Sequence, residues 1–467
     1  MVRWLTAGLL SLVMAGAEVS VVAPAPKVTT VPDGGKQTVR TVSLANEVAG
    51  YTLSYDTISL PGRTDEIRSH WWAWTTGMTT LGMTSPGVAN WYFQGFFNWT
   101  FDDESLHKRP ATFKVLRDGG QDGAVEFTWD TPMVTARLVF ALADGSDKLV
   151  MFGSYEPKSP VSRSSLKFGT YPTGFEQPRS RTVTTALRTA RQSERVDLDL
   201  SKERWLLFED TTPGRHGEGS AGLSIGTPEA FSKVSVGVGE YGLFPLLELA
   251  PNARAFTLAL YSYPALPQYE TTRAYYRAAG DLEAAWLATL RPETVLPTWE
   301  LPEERVAQMR AHLAAQLDRP AERWRPDPTP PEFAWAPKLP DGPLRTVLFC
   351  PRWAAYETME LARRLELQVR HLYFDSARQL AEPDAWPYAV QTGIGSLGQG
   401  AIARQVVDLL RAPETELYLL PAVHGQALTP PLMRRLLDQV RAGRGLLLVG
   451  DAALLKSWPA ELFATVE

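Results

Sequence analysis

From residue 46 to residue 267 the chain is written in short β-forming runs broken by Gly, Pro, Asp and Asn. In "VTARLVFAL", Val134, Ala136, Leu138 and Phe140 alternate with Thr135, Arg137 and Val139, close to the period of a half-buried strand. The turn signals "DGGQDG" and "ADGSD" separate such runs, as hairpin connections should. This pattern predicts a large antiparallel β-sandwich, preceded over residues 18–45 by an extended lead-in rich in Val, Thr, Pro and Lys. From residue 268 the period becomes helical, with Val306, Met309, Leu313 and Leu317 on one face. Prolines then crowd the chain up to residue 345, predicting a stiff, extended connection. Over residues 346–467 apolar runs such as "RTVLFCP", "TELYLLPAV" and "GLLLVG" alternate with amphipathic segments, which predicts an α/β domain built on a parallel sheet. Thr429 is placed to cap one of its helices, with prolines in the first turn and Gly443 just past the end.

The N-terminus changes the picture of where this multidomain chain works. Arg3, the apolar run from Trp4 to Met14 and the small residues Ala15, Gly16 and Ala17 read as a signal peptide over residues 1–17. Export to a bacterial periplasm or the medium is therefore expected, with Glu18 as the mature N-terminus. No later segment is long and apolar enough to be read as a membrane span. A net charge of −5 with interspersed signs and no basic stripe argues against nucleic acid as a partner. The single cysteine, Cys350, excludes an internal disulfide. Histidines at 70, 107, 216, 312, 371 and 424 have no metal-ligand spacing, and no P-loop occurs, so neither a metal nor a cofactor is expected.

Two stretches carry resemblances. "RTVLFCP" and "LYLLPAVHGQALTPPLMRRLLDQVRAGRGLLLVGD", within residues 346–456, resemble the flavodoxin-like domain of the class I glutamine amidotransferase-like superfamily. The nearest flavour is the non-catalytic trimerisation domain of family 42 β-galactosidases. Catalytic members carry a cysteine at a strand-to-helix elbow, and the resemblance puts Asp451 of "LLLVGDAALL" there, implying an inert domain whose use is packing or homo-oligomerisation. The chain stops soon after its fourth apolar run, so an incomplete domain is expected. "ERWLLFEDTTPGRHGEGSAGLSIG" and "VSVGVGEYGLFPLLELAPNARAFTLALYSYP" resemble the galactose-mutarotase-like β-supersandwich of carbohydrate-active enzymes, which implies a sugar-facing surface.

The densest aromatic stretch gives that implication candidates. Sugars present flat C–H faces rimmed by hydroxyls, so their sites combine aromatic platforms with carboxylates and guanidinium groups. "GRTDEIRSHWWAWTTGMTT" supplies Asp65, Arg68 and His70 beside Trp71, Trp72 and Trp74, and "GVANWYFQGFFNWTFDDESLH" adds Trp91, Trp99 and Asp102. Core packing is the commoner state of any single tryptophan, and one face of such a strand should be core. A second candidate, "FEDTTPGRHGEG", puts Glu209, Asp210, Arg215 and His216 on what reads as a glycine-punctuated loop, the raw material for acid–base work. Tyr155 with Lys158, and Tyr171, are further candidates without a spacing argument. Three readings stay open: a protein that recognises saccharides or polysaccharides, an enzyme acting on a sugar through His216 with Glu209, Asp210 or His70, and a structural protein whose aromatics are all core.

Overall fold

Alternation along Val134–Ala143 is legible only in its first half: Val134, Ala136 and Leu138 are buried between half-exposed neighbours, whereas Val139 to Ala143 are buried without interruption. The reason is a second layer. Phe140 and Leu142 face the sandwich interior, while Val139, Ala141 and Ala143 pack beneath Leu287 of the long helix Tyr269–Thr289 and Leu290 and Leu296 of the segment that follows it. A strand covered on both faces has no polar side to display.

The computed structural model describes residues 19–30, 35–59, 79–85, 89–91, 97–106, 109–172, 179–211, 221–240, 242–262, 269–299, 302–305, 307–308, 311, 343–351, 355–365, 367–374, 400–423 and 425–463. Within them, a 14-stranded sheet and an 8-stranded sheet, antiparallel in every recorded pairing, enclose one large apolar core. The segment expected as a lead-in belongs to the larger sheet: Val19–Val22 pairs with Lys36–Ala45 (Ser20 opposite Ala45) and with Ala111–Gly120. Its β-branched residues suit a pleated surface, and the expected sandwich boundary at residue 46 falls inside this sheet.

The long helix lies on the outer face of the larger sheet. Its approach is close at Gly280, where a Cβ would sit 2.5 Å from Cδ1 of Trp205, and the Trp205 and Tyr276 rings stack 5.0 Å apart. A buried ionic cluster fixes the contact. The Lys148 ammonium lies 2.5 Å from Asp147 and 3.3 Å from Glu283 on the helix, over the rings of Tyr261 and Tyr275. Glu283 also accepts from Ser224 and Tyr275, so this charge is taken out of water with its lone pairs satisfied.

Among the described residues, the C-terminal part forms a four-stranded parallel sheet from Leu344–Pro351, Leu367–Phe374, Leu417–Pro421 and Gly445–Val449, in the order second, first, third, fourth. Helix Pro430–Arg441 begins as its sequence predicts: the Thr429 hydroxyl accepts from the Leu432 amide, prolines occupy the first turn, and Gly443 follows with a φ of +95°. Asp451 is not at a strained elbow. Its φ is −75°, and its carboxylate caps the short helix Ala452–Lys456 by accepting from the Leu454 amide at 2.8 Å. Among the described residues, the left-handed non-glycine residue in this sheet's connections is Ala422, after the third strand. Cys350 is fully buried against Leu348 and Leu419, and burial pushes its thiol up to about 11.

The turn Asn46–Ala49 joins the two parts. The Asn46 amide donates to the carbonyls of Ala143 and Ser146, both at 2.7 Å, while its own carbonyl accepts from the Thr429 hydroxyl at 2.6 Å. Glu47 reaches Arg435 at 2.6 Å and Arg411 at 3.8 Å, and Val48 enters the core of the parallel-sheet domain.

Candidate functional site

Strand Trp205–Asp210 ends in two consecutive carboxylates, and consecutive strand residues point to opposite faces. Trp205 and Leu207 face the long helix, so Glu209 faces it too; Leu206 and Phe208 face the sandwich interior, and Asp210 follows them. Both side chains are buried, Glu209 at 0% and Asp210 at 1% exposure. The sequence placed this pair on a loop, because "TTPG" follows at once. Instead they are the last residues of the strand, and each has a guanidinium partner that offsets the cost of burial.

On the outer face, Arg273 of the helix donates from Nε to Glu209 at 2.9 Å. On the inner face, Arg181 stands directly across from Asp210 in the antiparallel register, 4.0 Å away, and donates to the Pro172 carbonyl of the second sheet. Asp210 also accepts from the Ser180 amide at 3.0 Å. Neither arginine was singled out in the sequence. Arg181 lies 29 positions from Asp210 and Arg273 lies 64 from Glu209, and only strand register and helix docking bring them together.

This quartet gathers strand ends. Pro172, Arg181, Asp210 and Ala221 opposite Ser262 flank the segments 173–178, 212–220 and 263–268. The strand Ala89–Trp91, which carries Trp91, pairs with Thr170–Pro172 and lies against the strands Ala221–Ile225 and Ala255–Ser262. Arg273 keeps 22% of its side chain exposed beside a fully covered Glu209. Arg273, held by the covered Glu209 and itself partly exposed, is suited to donate to a polar ligand, whereas the buried Arg181 ties the two sheets together.

Of the other candidates, Asp65, Arg68, His70, Trp71, Trp72, Trp74, Arg215 and His216 lie outside the described residues. Trp99 is core: it is 0% exposed, packs on Phe101 and Phe256, and donates from its indole to Ser164 at 2.8 Å. Asp102 caps a turn by accepting from the amides of Ser162 and Arg163. Tyr155 is buried with Arg254 donating to its hydroxyl, and Lys158 pairs with Asp130 on the surface. Tyr171 packs edge-on against Phe244.

No family model matches the chain, and no curated protein matches it. Among solved structures, it is similar to a TPR-domain containing protein from Parabacteroides distasonis, at 11% identity and a TM-score of 0.31, over 62% of this chain and 59% of that one. A family 36 α-galactosidase from Geobacillus stearothermophilus matches at 9% identity and a TM-score of 0.28, over 90% and 56% of the two chains. An α-galactosidase from Lactobacillus brevis matches at 10% identity and 0.27, over 55% and 42%. In all three the match spans less than two thirds of the neighbour's length. Scores of this size carry no functional argument.

Proposed function

We propose that the chain is an exported, glycan-handling protein that recognises a saccharide at the end of its β-sandwich. The observation that carries this reading is the buried quartet of Glu209, Asp210, Arg181 and Arg273, which holds together the strand ends flanking the Arg215- and His216-bearing segment, beside the Trp91 strand. A rigidly oriented, partly exposed guanidinium donor such as Arg273 is one of the groups that a hydroxyl-rimmed, flat-faced ligand requires, together with an aromatic platform. Complete burial of Glu209 and Asp210 favours recognition over acid–base turnover, since a general acid must reach the atom it protonates.

In the same reading the sandwich is of the supersandwich type. The parallel-sheet domain is a flavodoxin-like, amidotransferase-like unit without a nucleophile, with packing or association as its role. Its strand order, second, first, third, fourth, is the opening of the flavodoxin order, and its one thiol is buried.

Trp72→Ala and Trp74→Ala test the recognition surface. As platform residues they weaken saccharide binding by about 1–3 kcal/mol with the fold intact. Thermal melts paired with binding titrations decide; a loss of about 3–5 kcal/mol of stability, with no glycan bound by the wild type, would place these residues in the core and end the proposal.

A further inference from the structure

The sandwich and the parallel-sheet domain share little apolar surface: among the described residues, Val48 is the one sandwich side chain that enters the other domain's core. The rest of the described contact is polar. It runs from the Asn46 carbonyl to Thr429 and from Glu47 to Arg435 and Arg411. Domains joined through a small polar contact move relative to each other by default, so what stabilises the docked state matters.

Asp144 sits in this contact, at the tip of the hairpin that joins Val134–Ala143 to Leu149–Pro157. A carboxylate at a hairpin tip ordinarily stands in water. This tip is pinned instead. The Asn46 amide holds the Ala143 and Ser146 carbonyls on either side of it, and Thr298 lies against Gly145. Asp144 Oδ1 is buried with no hydrogen-bond partner, a state that is costly for an ionised oxygen.

The charged groups around it do not remove that cost. On its own hairpin, Asp147 and Lys148 are engaged with each other and with Glu283. Glu47 of the adjoining turn repels the ionised form. Arg411 and Arg435, from the helices Gly400–Arg411 and Pro430–Arg441, attract it, but Arg435 is bonded to Glu47 at 2.6 Å and Arg411 is half exposed. Burial outweighs the Gly145 amide and all these charges, and it pushes the carboxyl up from 3.8 to about 6. Undocking withdraws the two arginines but returns the tip to water, and since burial is the larger influence the ionised carboxyl gains by it.

We propose that Asp144 makes the docking of the two domains acid-dependent: with its carboxyl protonated the contact is closed, and ionisation of the carboxyl loosens it. A carboxyl raised by docking favours the docked state fully below 3.8 and progressively less as pH climbs through about 6. This device does not depend on the saccharide reading.

Thiol labelling of the full chain carrying Val48→Cys tests it, because Val48 is 7% exposed and is uncovered when the domains part. A pyridyl disulfide reacts in acid as well as at neutral pH, and the rate is taken relative to an unstructured peptide. The wild-type chain supplies the blank for the buried Cys350. Relative labelling should be about three- to tenfold faster at pH about 7.5 than at pH about 5, the upper figure from the full shift and the lower from water reaching the half-buried carboxyl. Adding Asp144→Asn should remove this difference and leave the slow rate at both pH values. Adding Asp438→Asn, on an exposed helix residue, should preserve it. A relative rate that is the same at both pH values, a difference that survives Asp144→Asn, or fast labelling of the Asp144→Asn chain throughout would overturn the proposal.

Discussion

Glu47→Gln should loosen the sandwich from the parallel-sheet domain more than any other single isosteric change at their contact. The Glu47 side chain is 8% exposed and 2.6 Å from Arg435, itself 21% exposed; Arg411, at 3.8 Å, is 51% exposed. Removing one member of a fully buried pair costs roughly 3–5 kcal/mol because the other charge is left uncompensated. Arg435 retains some water and the substituted amide still offers an acceptor oxygen, so about 2 kcal/mol is the expected loss, with Asn46, Val48 and Thr429 still holding the turn in place. Arg411→Ala, which removes a half-exposed partner, should cost only about 0–1 kcal/mol. Calorimetry of the full chain reads both, and the loss should fall on the transition of the parallel-sheet domain. A Glu47→Gln melt that overlays the wild type, or an Arg411→Ala loss equal to it, would refute the reasoning.

Asp144 adds a pH signature at the same contact. Burial, reinforced by Glu47 and opposed by the Gly145 amide, Arg411 and Arg435, pushes its carboxyl up from 3.8 to about 6. A carboxyl raised on folding favours the protonated folded state, so stability should rise as pH falls from about 6 towards 3.8 and be lowest above 6, where the ionised group stays buried. Asp144→Asn should abolish this component and stabilise the chain at pH above about 7; urea midpoints that keep the wild-type slope in the variant would contradict it. Cys350 should resist alkylation in the native state at pH about 8, since the thiolate is the reactive form and burial raises its thiol to about 11. Rapid native labelling counted by mass spectrometry would argue against that burial. Gly280→Ala should destabilise the packed helix by roughly 1–3 kcal/mol by forcing its Cβ into Trp205, overriding alanine's better helix propensity. An unchanged or raised melting temperature would show the contact to be softer than its geometry.

What the sequence made legible was local. Alternation in Val134–Ala143, the apolar runs of the parallel strands and the Thr429 cap follow from the period and turn chemistry of nearby residues. The buried charges did not follow, because Glu209 and Asp210 look solvated until Arg181 and Arg273 are brought to them by register and helix docking. Val19–Val22 reads as a lead-in because Ala111–Gly120, the strand that ties it to the sandwich, is distant in the chain. Asp451 was assigned to an elbow by resemblance, but a short polar side chain before a helix has a simpler use as its cap. Of the aromatic cluster, Trp99 serves the core, with Asn98 and Thr100 alternating to the other face, while Trp71, Trp72 and Trp74 lie outside the described residues.

A glycan-array screen of the chain from Glu18 onward, repeated with Trp72→Ala, tests the central claim most directly. The account predicts binding to at least one saccharide class, lost or weakened by at least about tenfold in a variant that still melts as the wild type does. Absence of binding to every glycan by a folded wild-type protein, or undiminished binding by the folded variant, would contradict it.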